Sequence, residues 1–158
     1  MAPARRGRGA SVGRGGGCSD FWPTIERSVG WLAVSRSVRA IRVATTLDSD
    51  TREQMIERVT TLLADMFGRN HVDLDDVISI FFTATDDLHA MFPAEAARTM
   101  GLADIPLMCA RELDITGGMP RCVRVMAHVE SHHERSAVEH VYHGEARSLR
   151  PDIGPSGQ

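Results

Sequence analysis

Apolar and polar positions alternate through Val38-Arg39-Ala40-Ile41-Arg42-Val43-Ala44-Thr45-Thr46, a β-branched run that predicts a strand with Arg39 and Arg42 on opposite faces. Asp50 opens a predicted helix, with Glu53 three residues on in capping-box position. Met55, Ile56, Val59, Leu62, Leu63, Met66 and Phe67 then recur at helical spacing as one apolar stripe, and Gly68 and Asn70 mark its end. After the polar turn 73–76, the run 77–85 is apolar at nearly every position, which predicts a strand buried on both faces. Pro93 suits the first turn of a short helix, Ala94 to Met100, stopped by Gly101. Ile105 to Ala110 is a third strand. Val123, Val125, Ala127 and Val129 alternate with Arg124, Met126 and His128 in a fourth. A helical turn or two over Ser136–Tyr142 and a last strand over Ala146–Leu149 complete the order β-α-β-α-β-β-α-β. That order predicts an α/β (α+β) fold with one mixed β-sheet.

Composition divides the chain. Residues 1–37 hold seven of the fourteen glycines and six arginines against two acids, a net charge of +4 that leaves −7 for the remainder. The opening 1–37 is expected to be a disordered Arg/Gly-rich extension, because it cannot bury enough surface to offset chain entropy. An RGG-like nucleic-acid tail and a targeting peptide are alternatives; a dispensable extension is the reading adopted. The ordered domain is expected over 38–152, followed by a flexible tail over 153–158. A net charge of −3 speaks against nucleic acid as the main partner. The longest apolar runs fall short of the roughly 18 residues a membrane span needs, so no membrane partner is expected. The three cysteines lack the pattern of a disulfide framework, which suggests a reducing, cytoplasmic setting. All eighteen basic residues are arginine, so lysine Schiff-base chemistry is excluded.

Several constellations could carry chemistry. His132-His133 and His140-x-x-His143 look like metal ligands, but no carboxylate or thiolate of suitable spacing accompanies them, so surface or capping roles are expected. Cys109 and Cys122 have no partner pair for zinc, and a Cys109–His128 dyad lacks any nucleophile-elbow context. Gly117-Gly118 opens no helix that could hold an anion and reads as a turn between strands. What remains is arginine inside apolar strands. Arg42 and Arg124 are either in structural ion pairs, with Asp114, Glu112 or another carboxylate of the chain as partners, or they line a pocket for an anionic ligand. The residues alone leave both open.

Six blocks occur in order: Arg39-Ala-Ile-Arg-Val-Ala-Thr-Thr46, Thr83-Ala-Thr-x-Asp-Leu-His-Ala-x-Phe-Pro-Ala94, Cys109-x-x-Glu112-x-Asp114-x-Thr-Gly-Gly118, Cys122-x-Arg124-Val-Met126, His140-Val-Tyr142 and Leu149-Arg-Pro-Asp152. Together they resemble the AroH-class chorismate mutases from about Val38 to Asp152. The resemblance implies a homotrimeric pseudo-α/β-barrel with helices on one face of each sheet. Its sites lie at subunit interfaces, with the Phe92-to-Arg98 segment coming from a neighbour. It implies the Claisen rearrangement of chorismate to prephenate, the branch toward phenylalanine and tyrosine, with no cofactor and no metal. By the same resemblance Arg124 donates to the ether oxygen and a carboxylate, while Arg42 and Tyr142 hold a carboxylate. Glu112 accepts from the ring hydroxyl with Cys109 beside it. Phe92, Ala94 and Leu149 shape an apolar wall, with Arg98 and Arg150 near the mouth.

This chain departs from the family pattern at three positions. Glu95 stands where lysine is common, Met108 where threonine is common, and Val43 where glycine is common. Glu95 replaces a cation by an anion near the mouth, which weakens binding of a dianion, especially at low salt. It also supports an alternative reading, a non-catalytic trimeric binder of small anions. A nucleic-acid-associated protein using the Arg/Gly tail is a third.

Overall fold

The structure, a computed structural model, describes residues 36–152. The expected tail 153–158, and all but the last two residues of the expected extension, lie outside the described residues. Five strands form one mixed sheet: β1 (Ser37–Thr46), β2 (Val77–Ala84), β3 (Leu107–Arg111), β4 (Cys122–Ser131) and β5 (Val141–Tyr142). Their spatial order is β3-β2-β4-β1-β5. β4 runs antiparallel to β1 and β2, β3 is parallel to β2, and β5 is parallel to β1.

The alternation in β1 and β4 resolves into one helix-covered face and one bare face. Ile41 and Val43 of β1, Ile80 and Phe82 of β2, and Val123, Val125, Ala127 and Val129 of β4 are buried together with Met55, Val59, Leu62, Leu63 and Met66 of α1 (Arg52–Asn70). Ala94, Ala96 and Ala97 of α2 (Pro93–Arg98) close the same core. Each large apolar side chain removed from water here contributes about 1.5–3 kcal/mol.

The other face carries Arg42, Met126, Phe81 and Met108 in one cross-strand row. Phe81 and Met126 are each 41% exposed and Met108 is 56% exposed. The expectation that β2 is buried on both faces is therefore corrected for the single chain. Only its helix side is covered, and Ile78, beside a register shift between Val77 and Ser79, is exposed as well.

Local chemistry moved several boundaries. Thr51, not Asp50, caps α1: its side chain accepts from the Gln54 N–H at 3.2 Å, and Gln54 Oε1 accepts from the Asp48 and Ser49 N–H groups. Asp50 instead accepts from the His89 and Ala90 N–H groups and so pins the loop that leads to α2. The helix runs through Gly68 and ends at Asn70, with left-handed His71 as the cap. Asn70 is buried; its amide donates to the Met66 and Glu139 carbonyls and its oxygen accepts from the Glu139 N–H, each at 2.9 Å. That clamp ties α1 to the segment entering β5.

The expected helix over Ser136–Tyr142 is a 3-10 turn (Arg135–Ala137) followed by β5. The expected last strand over Ala146–Leu149 is a 3-10 turn (Gly144–Leu149). Gly144 has φ +58 and lies so close to β1 that a Cβ there would meet Thr46 Oγ1 at 2.6 Å, so the chain turns off the sheet. Gly117-Gly118 is a turn, with the Gly118 N–H donating to the Ile115 carbonyl at 2.8 Å. It does not close a hairpin, because β2 lies between β3 and β4.

Candidate active site

The row beside the apolar one reads Tyr142, Ala44, Arg124, Thr83, Ala110 across β5, β1, β4, β2 and β3. Arg124 thus projects from the bare face between two small neighbours, Ala44 and Thr83. Glu112 reaches it from just past the end of β3, where its N–H donates to the Ala84 carbonyl at 3.0 Å and extends the pairing of β3 with β2. Arg124 Nη1 donates to Glu112 Oε2, and Thr83 Oγ1 donates to Glu112 Oε1 at 2.6 Å. Glu112 and Arg124 side chains are only 11% and 25% exposed, so this ion pair is shielded from water on most sides.

These three residues line a cavity of about 760 Å³ together with Asp114, Gly118 and Met119. That is within the usual range for small-molecule sites. Burial, with the Arg42 guanidinium adding to it, pulls the Arg124 pKa down from its ordinary value, and Tyr142 works against the shift. An arginine keeps its charge regardless.

Arg42 lies on the same face of β1, and its backbone N–H donates to His140 Nδ1 at 3.1 Å. Burial first, then the charges of Arg150 and Arg42, lower the His140 pKa, which favours the neutral ring that this bond requires. The Tyr142 hydroxyl is buried beside the Arg150 guanidinium, whose pKa it helps to raise, although the two do not meet in a well-formed hydrogen bond. Leu149 packs with Met119 against Ala44, Tyr142 and Ala146. Arg150 makes two hydrogen bonds to Asp152, at 2.9 and 2.8 Å, which raise its pKa and hold the Asp152 carboxyl near 2.

Cys109, Phe92, Ala94 and Arg98 are elsewhere in the single chain. Cys109 pairs in register with Phe82 and lines a second concavity of about 480 Å³ with Met91, Phe92 and Glu95. The expectation that Cys109 sits beside Glu112 is not met within one chain; a one-residue step along β3 turns it to the helix side. Phe92 precedes α2 and is 68% exposed, Ala94 is buried, and Arg98 is exposed in the last turn of α2. Glu95 is paired with Arg52 at 3.2 Å.

Two polar groups beside the site have no role assigned from the sequence. Thr83 lines the cavity and His140 accepts from the Arg42 N–H, although each opens one of the family blocks. The other histidines do not converge. His132 and His133 are exposed and His143 Nε2 lies 2.8 Å from Asp65 Oδ2. Among the described residues no three His, Cys, Asp or Glu side chains are grouped to hold a metal ion. Burial pushes the Cys122 thiol up to about 11, which leaves it unreactive. No helix of the described residues is long and apolar enough to cross a membrane.

A two-helix mixed α+β sheet whose bare face bears clustered guanidinium groups, an acceptor carboxylate and a buried phenol has the tools to orient a small, oxygen-rich anion. The chain belongs to the chorismate mutase type I family, whose profile matches residues 38–153. It is 39% identical over 117 residues to the chorismate mutase AroH of Bacillus subtilis, covering 73% of this chain and 92% of the relative. It is 40% identical over 117 residues to the AroH protein of Thermus thermophilus, covering 73% and 96%. A solved chorismate mutase from Clostridium thermocellum superposes with a TM-score of 0.69 at 42% identity, over 70% of this chain and 99% of that one.

Proposed function

We propose that this chain is an isomerase that converts chorismate to prephenate, acting in the cytoplasm on the route to phenylalanine and tyrosine. The [3,3] shift breaks the ether C–O bond and forms a C–C bond within one molecule. No proton, electron or group passes to the protein. The catalyst must hold a flexible dicarboxylate in its reactive chair and stabilise the charge that develops on the ether oxygen. Arg124 donates to that oxygen and to a carboxylate. Arg42 and the Tyr142 hydroxyl bind a carboxylate, Glu112 accepts from the ring hydroxyl, and Leu149 and Arg150 border the mouth. The observation that carries this reading is the shared cavity of Arg124 and Glu112, with Arg42 and the Tyr142 hydroxyl on the same sheet face. The buried Tyr142 hydroxyl lies beside Arg150 without a well-formed hydrogen bond, which leaves it available to a bound carboxylate.

The working unit is a homotrimer with the site completed at the subunit interface. The exposed row Phe81, Met108 and Met126 supports this, since a soluble protomer gains by covering it. In that assembly Phe92, Ala94 and Arg98 come from the neighbour. Cys109 shares a concavity with Phe92, so it enters with them rather than with Glu112 of its own chain. Glu95, the one residue favouring a non-catalytic anion binder, has its charge offset by Arg52. Residues 38–152 form the catalytic domain, and the extension and tail take no part in the chemistry.

The test is to incubate purified protein with chorismate and follow loss of the diene absorbance and formation of prephenate. Turnover is expected for the whole chain and for a variant lacking residues 1–37. Unchanged chorismate overturns the proposal.

A further inference from the structure

Resting on that reading of the site, we propose that Thr83 is a positioning residue: its hydroxyl anchors the Glu112 carboxylate for substrate. Glu112 is not carried by a rigid element. It follows the last residue of β3 and begins the loop to β4, where Leu113 and Ile115 are exposed and contribute little anchoring. Its backbone is held by the Ala84 carbonyl, and its side chain by two partners.

One partner is Arg124, the guanidinium on which the substrate calls. Arg124 has to divide its donors between Glu112, the ether oxygen and a carboxylate, so it is a shared anchor. The other is Thr83, whose Oγ1 lies 2.6 Å from Glu112 Oε1, on the oxygen that Arg124 does not engage. Thr83 has no competing task, and its β-branched side chain on a strand has few χ1 options, so the hydroxyl is already aimed. Register sets it directly across from Arg124 on β4, so the two side chains reach Glu112 from adjacent strands. Because the hydroxyl gives its hydrogen to a carboxylate oxygen, it favours the ionised form of Glu112. It therefore keeps an acceptor in place, and keeps it charged, while Arg124 serves the substrate.

The test compares Thr83→Val and Thr83→Ser in otherwise intact protein. Valine keeps the branched shape and removes only the donor; serine keeps the donor. Thr83→Val is expected to lower kcat by roughly tenfold or more, the scale of one hydrogen bond to a charged group. The acid limb of its kcat/KM profile moves to higher pH. Thr83→Ser keeps both properties near those of the parent. The Glu112 titration, followed by carboxyl carbon NMR without substrate, moves to higher pH in Thr83→Val alone. An unmoved Glu112 titration in Thr83→Val overturns the proposal, as does an unchanged kcat or a serine variant as impaired as the valine one. The titration needs no turnover. Failure of the parent protein to consume chorismate thus overturns the assigned reaction, and an unmoved titration overturns the role of Thr83.

Discussion

Replacing Arg124 by alanine separates catalysis from folding most cleanly. On the folding side the cost is limited. The strand neighbours of Arg124 on the bare face are Ala44 and Thr83, and its loss relieves repulsion from Arg42. What is lost is the ion pair with Glu112. A fully buried pair costs about 3–5 kcal/mol when one partner is removed. Here the arginine side chain is 25% exposed and Glu112 keeps its bond to Thr83, so about 1–2 kcal/mol is the scaled expectation. A domain of ordinary stability survives that.

On the catalytic side, the proposed role makes Arg124 the preorganised donor to the charge formed in the transition state, and loss of such a group typically costs about 10²–10³ in kcat. Arg124→Lys keeps a charge but loses the planar fork, and is expected to fall between the two. The assay is initial-rate consumption of chorismate, with urea unfolding and size-exclusion elution as controls. A folded Arg124→Ala protein whose kcat stays within tenfold of the parent refutes the assignment. A protein that fails to fold refutes the account of its packing.

Other tests probe the surroundings. Phe81→Asp puts a carboxylate into the apolar row, where burial would cost several kcal/mol; assembly and activity are expected to fall together in sedimentation and rate measurements, and an intact active trimer argues against that face as the interface. His140 has a folded-state pKa below its unfolded value, so its contribution to stability is complete above about pH 6.5 and is lost as pH falls through the folded pKa. Urea midpoints should therefore drop on acidification more steeply in the parent than in His140→Asn, and equal slopes would contradict the bond to Arg42. Gly144→Ala forces a side chain into a left-handed backbone against Thr46 Oγ1 and is expected to destabilise by about 1–3 kcal/mol. An unshifted unfolding midpoint would show that the turn relaxes freely.

What the chain alone determined is what periodicity and block spacing can carry. The alternation in β1 and β4 and the stripe of α1 extend over enough residues to declare a face, so these elements and the core were legible. Arg42, Glu112, Arg124 and Tyr142 were legible as a set through the spacing of the family blocks. The tertiary structure decided the rest, for local reasons. β5 is two residues long, too short to show a period, and Gly144 turns the chain because of its approach to Thr46. Asp50 lost the cap of α1 to Thr51 because a distant loop, at His89 and Ala90, claimed its carboxylate. The facing of Cys109 hangs on a single residue of phase in a five-residue edge strand, and composition says nothing about phase. The link from Thr83 through Glu112 to Arg124 joins β2, the loop after β3, and β4. It exists only once a sheet order of β3-β2-β4 brings those three segments side by side.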